Sequence, residues 1–257
     1  MAEIVIVADA EAAGDLAADA VLRRLSRATT PTWGVATGST PLSTYRAIAA
    51  RDHDLSGVRA FALDEYVGLP AGHPESYRAV LDRELVHPLG LNTEKVHVPD
   101  GSHEGLESAG ERYEREIADA GGIEVQILGI GTDGHVGFNE PGSSLASRTR
   151  VKTLTEQTRQ DNARFFDSPD DVPRHCVTQG LGTISRARHL ILLAFGEGKA
   201  AAIAAAVEGP VTAAVPGSII QLHPSVTVFV DEAAASRLAH ADYYRHAYEN
   251  KPRWQVL

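Results

Sequence analysis

Six short β-rich runs, most of them almost uninterruptedly apolar, constrain this chain more than any other feature. They are Glu3–Val7 (EIVIV), Trp33–Ala36, Val58–Leu63, Ile123–Ile130, His189–Phe195 and Ser225–Val230. A strand with one wet face alternates polar and apolar residues. A run that is apolar throughout must be covered on both faces, which is the signature of a parallel sheet. Helical patterns lie between the runs. An Ala/Leu-rich stretch reaches about Leu25, and a second spans Pro41 to Ala50. Leu106, Ala109, Tyr113, Ile117 and Ala120 mark one face of a third, ended by Gly121-Gly122; Gly198–Val207 is a fourth. Strand–helix alternation predicts an α/β fold with a mostly parallel sheet and helices on both faces. In such a fold the binding site lies at the carboxyl ends of the strands.

The length of 257 residues suits one large α/β domain or two small ones, and no repeat or low-complexity linker divides it. The balance of 24 Lys+Arg against 34 Asp+Glu gives a net charge of −10. That argues against a nucleic-acid partner, which would need a basic patch. Cys176 is the one cysteine, so no internal disulfide forms and a reducing cytoplasm is expected. There is no CxxC, and His103-Glu104-Gly105-Leu106-Glu107 lacks the second His of HExxH, so no metal is expected. Met1-Ala2-Glu3-Ile4 lacks the start of a signal peptide. Gly209–Val230 carries no Lys, Arg, Asp or Glu, but Pro210, Pro216 and Pro224 make it a buried loop and strand rather than a membrane span. Residues 155–184 are polar, with a short helix expected near 155–166, and form a candidate lid.

The chemistry-bearing motifs each follow an expected strand. Thr37-Gly38-Ser39-Thr40-Pro41 reads either as a plain turn, with Ser39 or Thr40 capping a helix, or as a phosphate cradle at that helix's N-terminus. Leu63-Asp64-Glu65-Tyr66 places two acids at a strand end, as a cap or surface pair, or with one serving as a general base of raised pKa. Gly129-Ile130-Gly131-Thr132-Asp133-Gly134 matches GxGxxG, but Gly137, Pro141 and Gly142 follow where a dinucleotide fold needs a helix. The same loop sets His135 between Asp133 and Glu140; a carboxylate beside an imidazole fixes its tautomer, which suits acid–base work. Ser143–Thr153 carries Arg148, Arg150 and Lys152 among hydroxyl residues, as an anion site or a solvated strand. Arg164 and Lys199 are surface cations or anion ligands; Gly196-Glu197-Gly198-Lys199 falls short of a P-loop.

Together these strings, with His73-Pro74-Glu75-Ser76-Tyr77 and Leu222-His223-Pro224, resemble the glucosamine-6-phosphate deaminase family over nearly the whole chain. The resemblance implies a Rossmann-like single domain over residues 1–257. It also implies cofactor-free conversion of glucosamine 6-phosphate and water to fructose 6-phosphate and ammonia, in amino-sugar catabolism. By position, Asp64 matches the base that takes the C2 proton. His135, oriented by Asp133 and Glu140, matches the ring-opening acid/base. Gly38, Ser39, Thr40, Arg164 and Lys199 match phosphate-binding positions. Ser143, Arg150, Lys152 and Thr153 match an activator site for N-acetylglucosamine 6-phosphate found in some homo-oligomeric members, hexamers among them. The competing readings are a 6-phosphogluconolactonase-like hydrolase, a deaminase for the galactosamine isomer, and a non-catalytic sugar-phosphate sensor.

Overall fold

The computed structural model describes residues 2–252 and 254–255. Ten strands run in chain order as β1 (Ala2–Val7), β2 (Thr32–Val35), β3 (Arg59–Ala62), β4 (Asp64–Tyr66), β5 (Val96–His97), β6 (Val125–Leu128), β7 (Arg150–Thr153), β8 (His175–Thr178), β9 (Leu190–Ala194) and β10 (Val226–Asp231). The helices are α1 (Ala10–Arg27), α2 (Leu42–Ala49), α3 (Tyr77–Leu81), α4 (His87–Leu89), α5 (Leu106–Asp119), α6 (Glu156–Asn162), α7 (Leu181–Ile184), α8 (Ala200–Val207), α9 (Glu232–Ala235) and α10 (Ala241–Glu249).

Seven strands form one wholly parallel sheet in the order β1-β10-β9-β6-β2-β3-β5. Every residue of β2, β6 and β9 is buried, as strands covered on both faces require. The chain builds from β2 through β3 to β5 on one side, then returns through β6 to β9 and β10 on the other. The strand order therefore reverses between β2 and β6. Loops leaving those two carboxyl ends diverge and open a crevice.

α1 shows how local sequence selects an element. Asp9 accepts from the Ala12 N–H at 2.8 Å and caps the first turn, while Arg24 and Arg27 complement the dipole at the last. Its Ala17, Val21, Leu22 and Leu25 stripe is buried in the main core beside Trp33 and Ile48. At α5 the expected stop holds: Gly121 and Gly122 both take positive φ.

Two expectations need correction. Asp64-Glu65-Tyr66 does not end the third strand. β3 stops at Ala62, and Asp64 starts β4 in a second, antiparallel sheet of order β4-β8-β7. The polar stretch 155–184 is also not uniform. α6 lies near its expected place, but β8 and α7 are mostly buried, with Thr178 and Leu181 fully so. The part of this stretch that precedes the buried strand is about 155–174. Among the described residues no helix is long and apolar enough to cross a membrane.

Candidate active site

The crevice at the β2/β6 reversal is a cavity of about 540 Å³, floored by the loops after β2, β3 and β6 and roofed by α6 and the turn after it. Thr37–Thr40 leaves β2 with Gly38 at φ +85°, a conformation that glycine takes without strain. A Cβ on Gly38 would meet nothing within 4 Å, so the turn offers open backbone toward a ligand. Tyr45 holds the turn's root: its hydroxyl accepts from the Ala36 N–H at 3.1 Å and donates to the Ala36 carbonyl at 2.7 Å. The capping expectation fails, because Pro41 occupies the N-cap and no side chain caps α2. Ser39 and Thr40 both line the cavity instead.

The adjacent acids Asp64 and Glu65 are both buried, yet their surroundings differ. Glu65 accepts N–H bonds from Tyr66 at 2.8 Å, Tyr77 at 2.9 Å and Arg78 at 2.9 Å, and so ties β4 to the start of α3. Burial raises its pKa and these three donors pull it back. Asp64 faces the cavity. Burial, with a smaller push from Glu65, raises its carboxyl to about 8.

The loop after β6 supplies the other acid–base group. His135 Nδ1 lies 2.7 Å from Asp133 Oδ1 and 3.7 Å from Glu140 Oε2. Contact with His135 holds the Asp133 carboxyl well below the usual range, against a smaller opposing effect of burial. The imidazole sits directly over Gly131, where a Cβ would come within 2.2 Å of the ring, so only glycine fits beneath it. Asp133, His135 and Glu140 each bring one ligand atom within 4.8 Å of the others, a spacing that could hold a cation. The loop is fastened to the small sheet: the Phe138 N–H donates to Thr178 Oγ1 at 3.1 Å, and Asn139 Nδ2 to the Gln179 carbonyl at 2.8 Å. Thr178 pairs with Asp64 across β4 and β8, so the two acid–base groups share one rigid support.

Lys199 and Arg164 reach the cavity from different elements. Lys199 ends the turn after β9, which Asp231 anchors by accepting from the Gly196 N–H at 2.9 Å. Burial lowers the Lys199 pKa, while Asp161 and Asp133 oppose that effect. Arg164 follows α6, with its guanidinium 4.8 Å from the Phe165 ring centroid.

The model of the family described as glucosamine-6-phosphate isomerases/6-phosphogluconolactonase matches residues 8–229. The chain belongs to this family. A glucosamine-6-phosphate deaminase of Streptomyces avermitilis is 60% identical, covering 99% of this chain and all of its own. A solved structure of a monomeric glucosamine-6-phosphate deaminase superimposes with a TM-score of 0.88 at 36% identity, over 91% of this chain and 99% of its own. A 6-phosphogluconolactonase from Trypanosoma brucei shares the fold at a TM-score of 0.75 and 20% identity, over 93% of this chain and 99% of its own.

Within this isomerase/lactonase frame, Asp64, His135, Gly38, Ser39, Thr40, Arg164 and Lys199 all line the one cavity. Asp133 and Glu140 stand behind His135. Ser143, Arg150, Lys152 and Thr153 lie apart from it. Ser143 Oγ is buried without a hydrogen-bond partner, and Arg150 donates to Asn139 Oδ1 at 2.8 Å. On β7, Arg150 and Lys152 are half-buried while Val151 and Thr153 are exposed, so Thr153 points away from the two cations. The sequence reading missed Thr158. From α6 its hydroxyl donates to Glu140 Oε1 at 2.5 Å, and Thr155 adds a longer bond at 3.3 Å. Thr155 is also the N-cap of α6, accepting from the Thr158 N–H at 3.1 Å. A Thr-x-x-Thr start reads as a cap alone until the fold brings Glu140 beneath it.

Proposed function

We propose that the chain converts glucosamine 6-phosphate and water to fructose 6-phosphate and ammonia, as an isomerising deaminase of amino-sugar catabolism. The observation that carries this reading is the pairing, in one cavity, of a buried, unpartnered carboxyl raised to about 8 with an imidazole backed by two carboxylates. The chemistry needs two acid–base groups with separate tasks. The closed sugar has no acidic C2 proton, so His135 first moves the proton between the anomeric hydroxyl and the ring oxygen, and the C1 aldehyde forms. The aldehyde acidifies C2–H, and Asp64 takes that proton to give the enolamine. Protonation at C1 then gives the C2 imine. Water adds at C2 and ammonia leaves, so the net reaction consumes one water while C1 is reduced and C2 oxidised.

The phosphate is the end that does not react. The Gly38-Ser39-Thr40 turn, Arg164 and Lys199 would hold it and so orient C2 over Asp64. Because Arg164 sits on the segment that also carries Thr158, we infer that residues 155–174 act as a lid whose seating on the phosphate positions Glu140. On the same reading the protein works in the cytoplasm without a cofactor. Arg150 and Lys152, on one face of β7, would with Ser143 hold the phosphate of an acetylated amino-sugar activator in an oligomer, with Thr153 contributing only its backbone to that face. Kinetics that remain hyperbolic and unchanged by N-acetylglucosamine 6-phosphate would remove that last assignment.

A lactonase shares the fold and would need the imidazole to activate water, but it has no use for a desolvated base near C2. The test is a coupled assay with glucosamine 6-phosphate, galactosamine 6-phosphate and 6-phosphogluconolactone. Release of ammonia and fructose 6-phosphate from the first is expected. Turnover of the lactone alone would overturn the reading.

A further inference from the structure

A second cavity, of about 460 Å³, lies at the opposite end of the sheet, and neither the proposed reaction nor the family match uses it. It opens between the end of α1 and the residues just before β2, β6 and β9, the amino ends of strands whose carboxyl ends carry the active site. Arg23, Arg24, Arg27 and Arg188 line it, and Glu124 is its one acidic lining residue. Its lining carries four cations against one anion in a protein of net charge −10. Such a reversal attracts small anions against the overall field.

Arginines in a last helical turn commonly do no more than complement the dipole. Three observations go beyond that. First, Arg188 does not belong to α1; it enters from before β9, with its guanidinium fixed to the Gly121 carbonyl at 3.0 Å. Second, Arg24 is held from behind, donating to Ser225 Oγ at 3.2 Å and lying 3.3 Å from His189 Nδ1. Burial drives the His189 pKa down to about 3, so that ring is neutral and can accept from Arg24. Third, Glu124 does not neutralise the cluster. Its carboxylate stands 4.0 Å from Arg24 and 3.5 Å from Arg188, two long contacts shared by one charge. Arginine forks fixed in this way suit the geometry of phosphate oxygens, and Thr29 and Thr30 line the same wall with hydroxyls for a ligand's polar body.

We propose that this cavity is a second binding site, for a small phosphorylated metabolite bearing at least two negative charges, separate from the catalytic crevice. The volume falls within the range of small-molecule pockets, and the cavity has no comparable complement of acids to bind a cation.

The test is isothermal titration calorimetry of the full chain with inorganic pyrophosphate. An Arg164→Ala/Lys199→Met background silences the catalytic crevice; of the binding that remains, the part removed by substituting Arg27 and Arg188 is the second site's, and any part left belongs to the Arg150/Lys152 face. One equivalent of binding is expected there. Adding Arg27→Ser and Arg188→Ser, both exposed side chains, should weaken it at least about tenfold, the loss of two charge-assisted contacts. The Arg27→Ser/Arg188→Ser change alone should leave turnover of glucosamine 6-phosphate within about twofold and the circular dichroism spectrum unaltered, which separates lost binding from lost folding. The proposal is overturned if the Arg164/Lys199 background shows no binding. It is equally overturned if the arginine substitutions, made singly or together, leave that binding unchanged.

Discussion

Asp64 and Asp133 stand in neighbouring parts of one site and are displaced in opposite directions. Asp64 lies at the junction of two sheets, buried and without a charge partner, and its carboxyl rises to about 8. Asp133 lies on a half-open loop with the His135 ring 2.7 Å away, and its carboxyl falls below the usual range. The same side chain is thus a neutral acid in one place at pH 7 and a fixed charge in the other. Burial gives a carboxylate of raised basicity, as the proposed abstraction of a carbon-bound proton requires; a hydrogen bond to the imidazole gives a carboxylate that keeps its charge. The difference comes from position in the fold.

The largest effect should follow from removing the buried member. Asp64→Asn keeps shape and loses the base, so kcat should fall by roughly 10⁴-fold with KM nearly unchanged. Steady-state assay of ammonia release measures it. The paired change Asp133→Asn should cost less, about 10²-fold in kcat, because His135 keeps its place over Gly131 but loses its nearest orienting charge. Equal losses in the two variants would break the comparison.

The pH profile reads the buried carboxyl directly. Only ionised Asp64 accepts a proton, so kcat/KM should climb about tenfold per unit below the midpoint and level off near 8. At the alkaline side it should fall again below the ordinary lysine range, because burial lowers the pKa of Lys199. An acidic limb centred near 4 would show that Asp64 is ionised at neutral pH. The smallest effect belongs to the contact between Thr158 and Glu140. Thr158→Val removes the hydroxyl that holds Glu140 and should lower kcat several-fold without raising KM, whereas a purely structural role would move stability alone.

What the sequence made legible follows the same division between environments. The main sheet shows in the apolar runs because strands buried on both faces admit few polar residues, as in LILLA. The small sheet does not show. β7 reads Arg-Val-Lys-Thr with its side chains half-buried or exposed, and β8 begins at an exposed His175, so neither carries an apolar run. That gap extended the lid to 184 and joined Asp64 to the preceding strand. The motif loops were visible because Gly and Pro punctuate them. The choice between Asp64 and Glu65 came from the family resemblance and was not visible in the residues themselves, since it depends on three N–H groups, two of them 12 and 13 residues away at the start of α3. Thr158 was hidden for a similar reason: its partner lies 18 residues back.

The role of Asp64 is tested most directly by running the reaction in D₂O and following substrate and product by ¹H NMR. The wild type should form fructose 6-phosphate carrying solvent deuterium at C1, and its substrate should lose the C2 proton only through Asp64. In Asp64→Asn both the C2 exchange and the product should disappear while the fold and phosphate binding remain. Exchange at C2 persisting near the wild-type rate in that variant would contradict the assignment, and with it the division of labour between the buried carboxyl and the histidine loop.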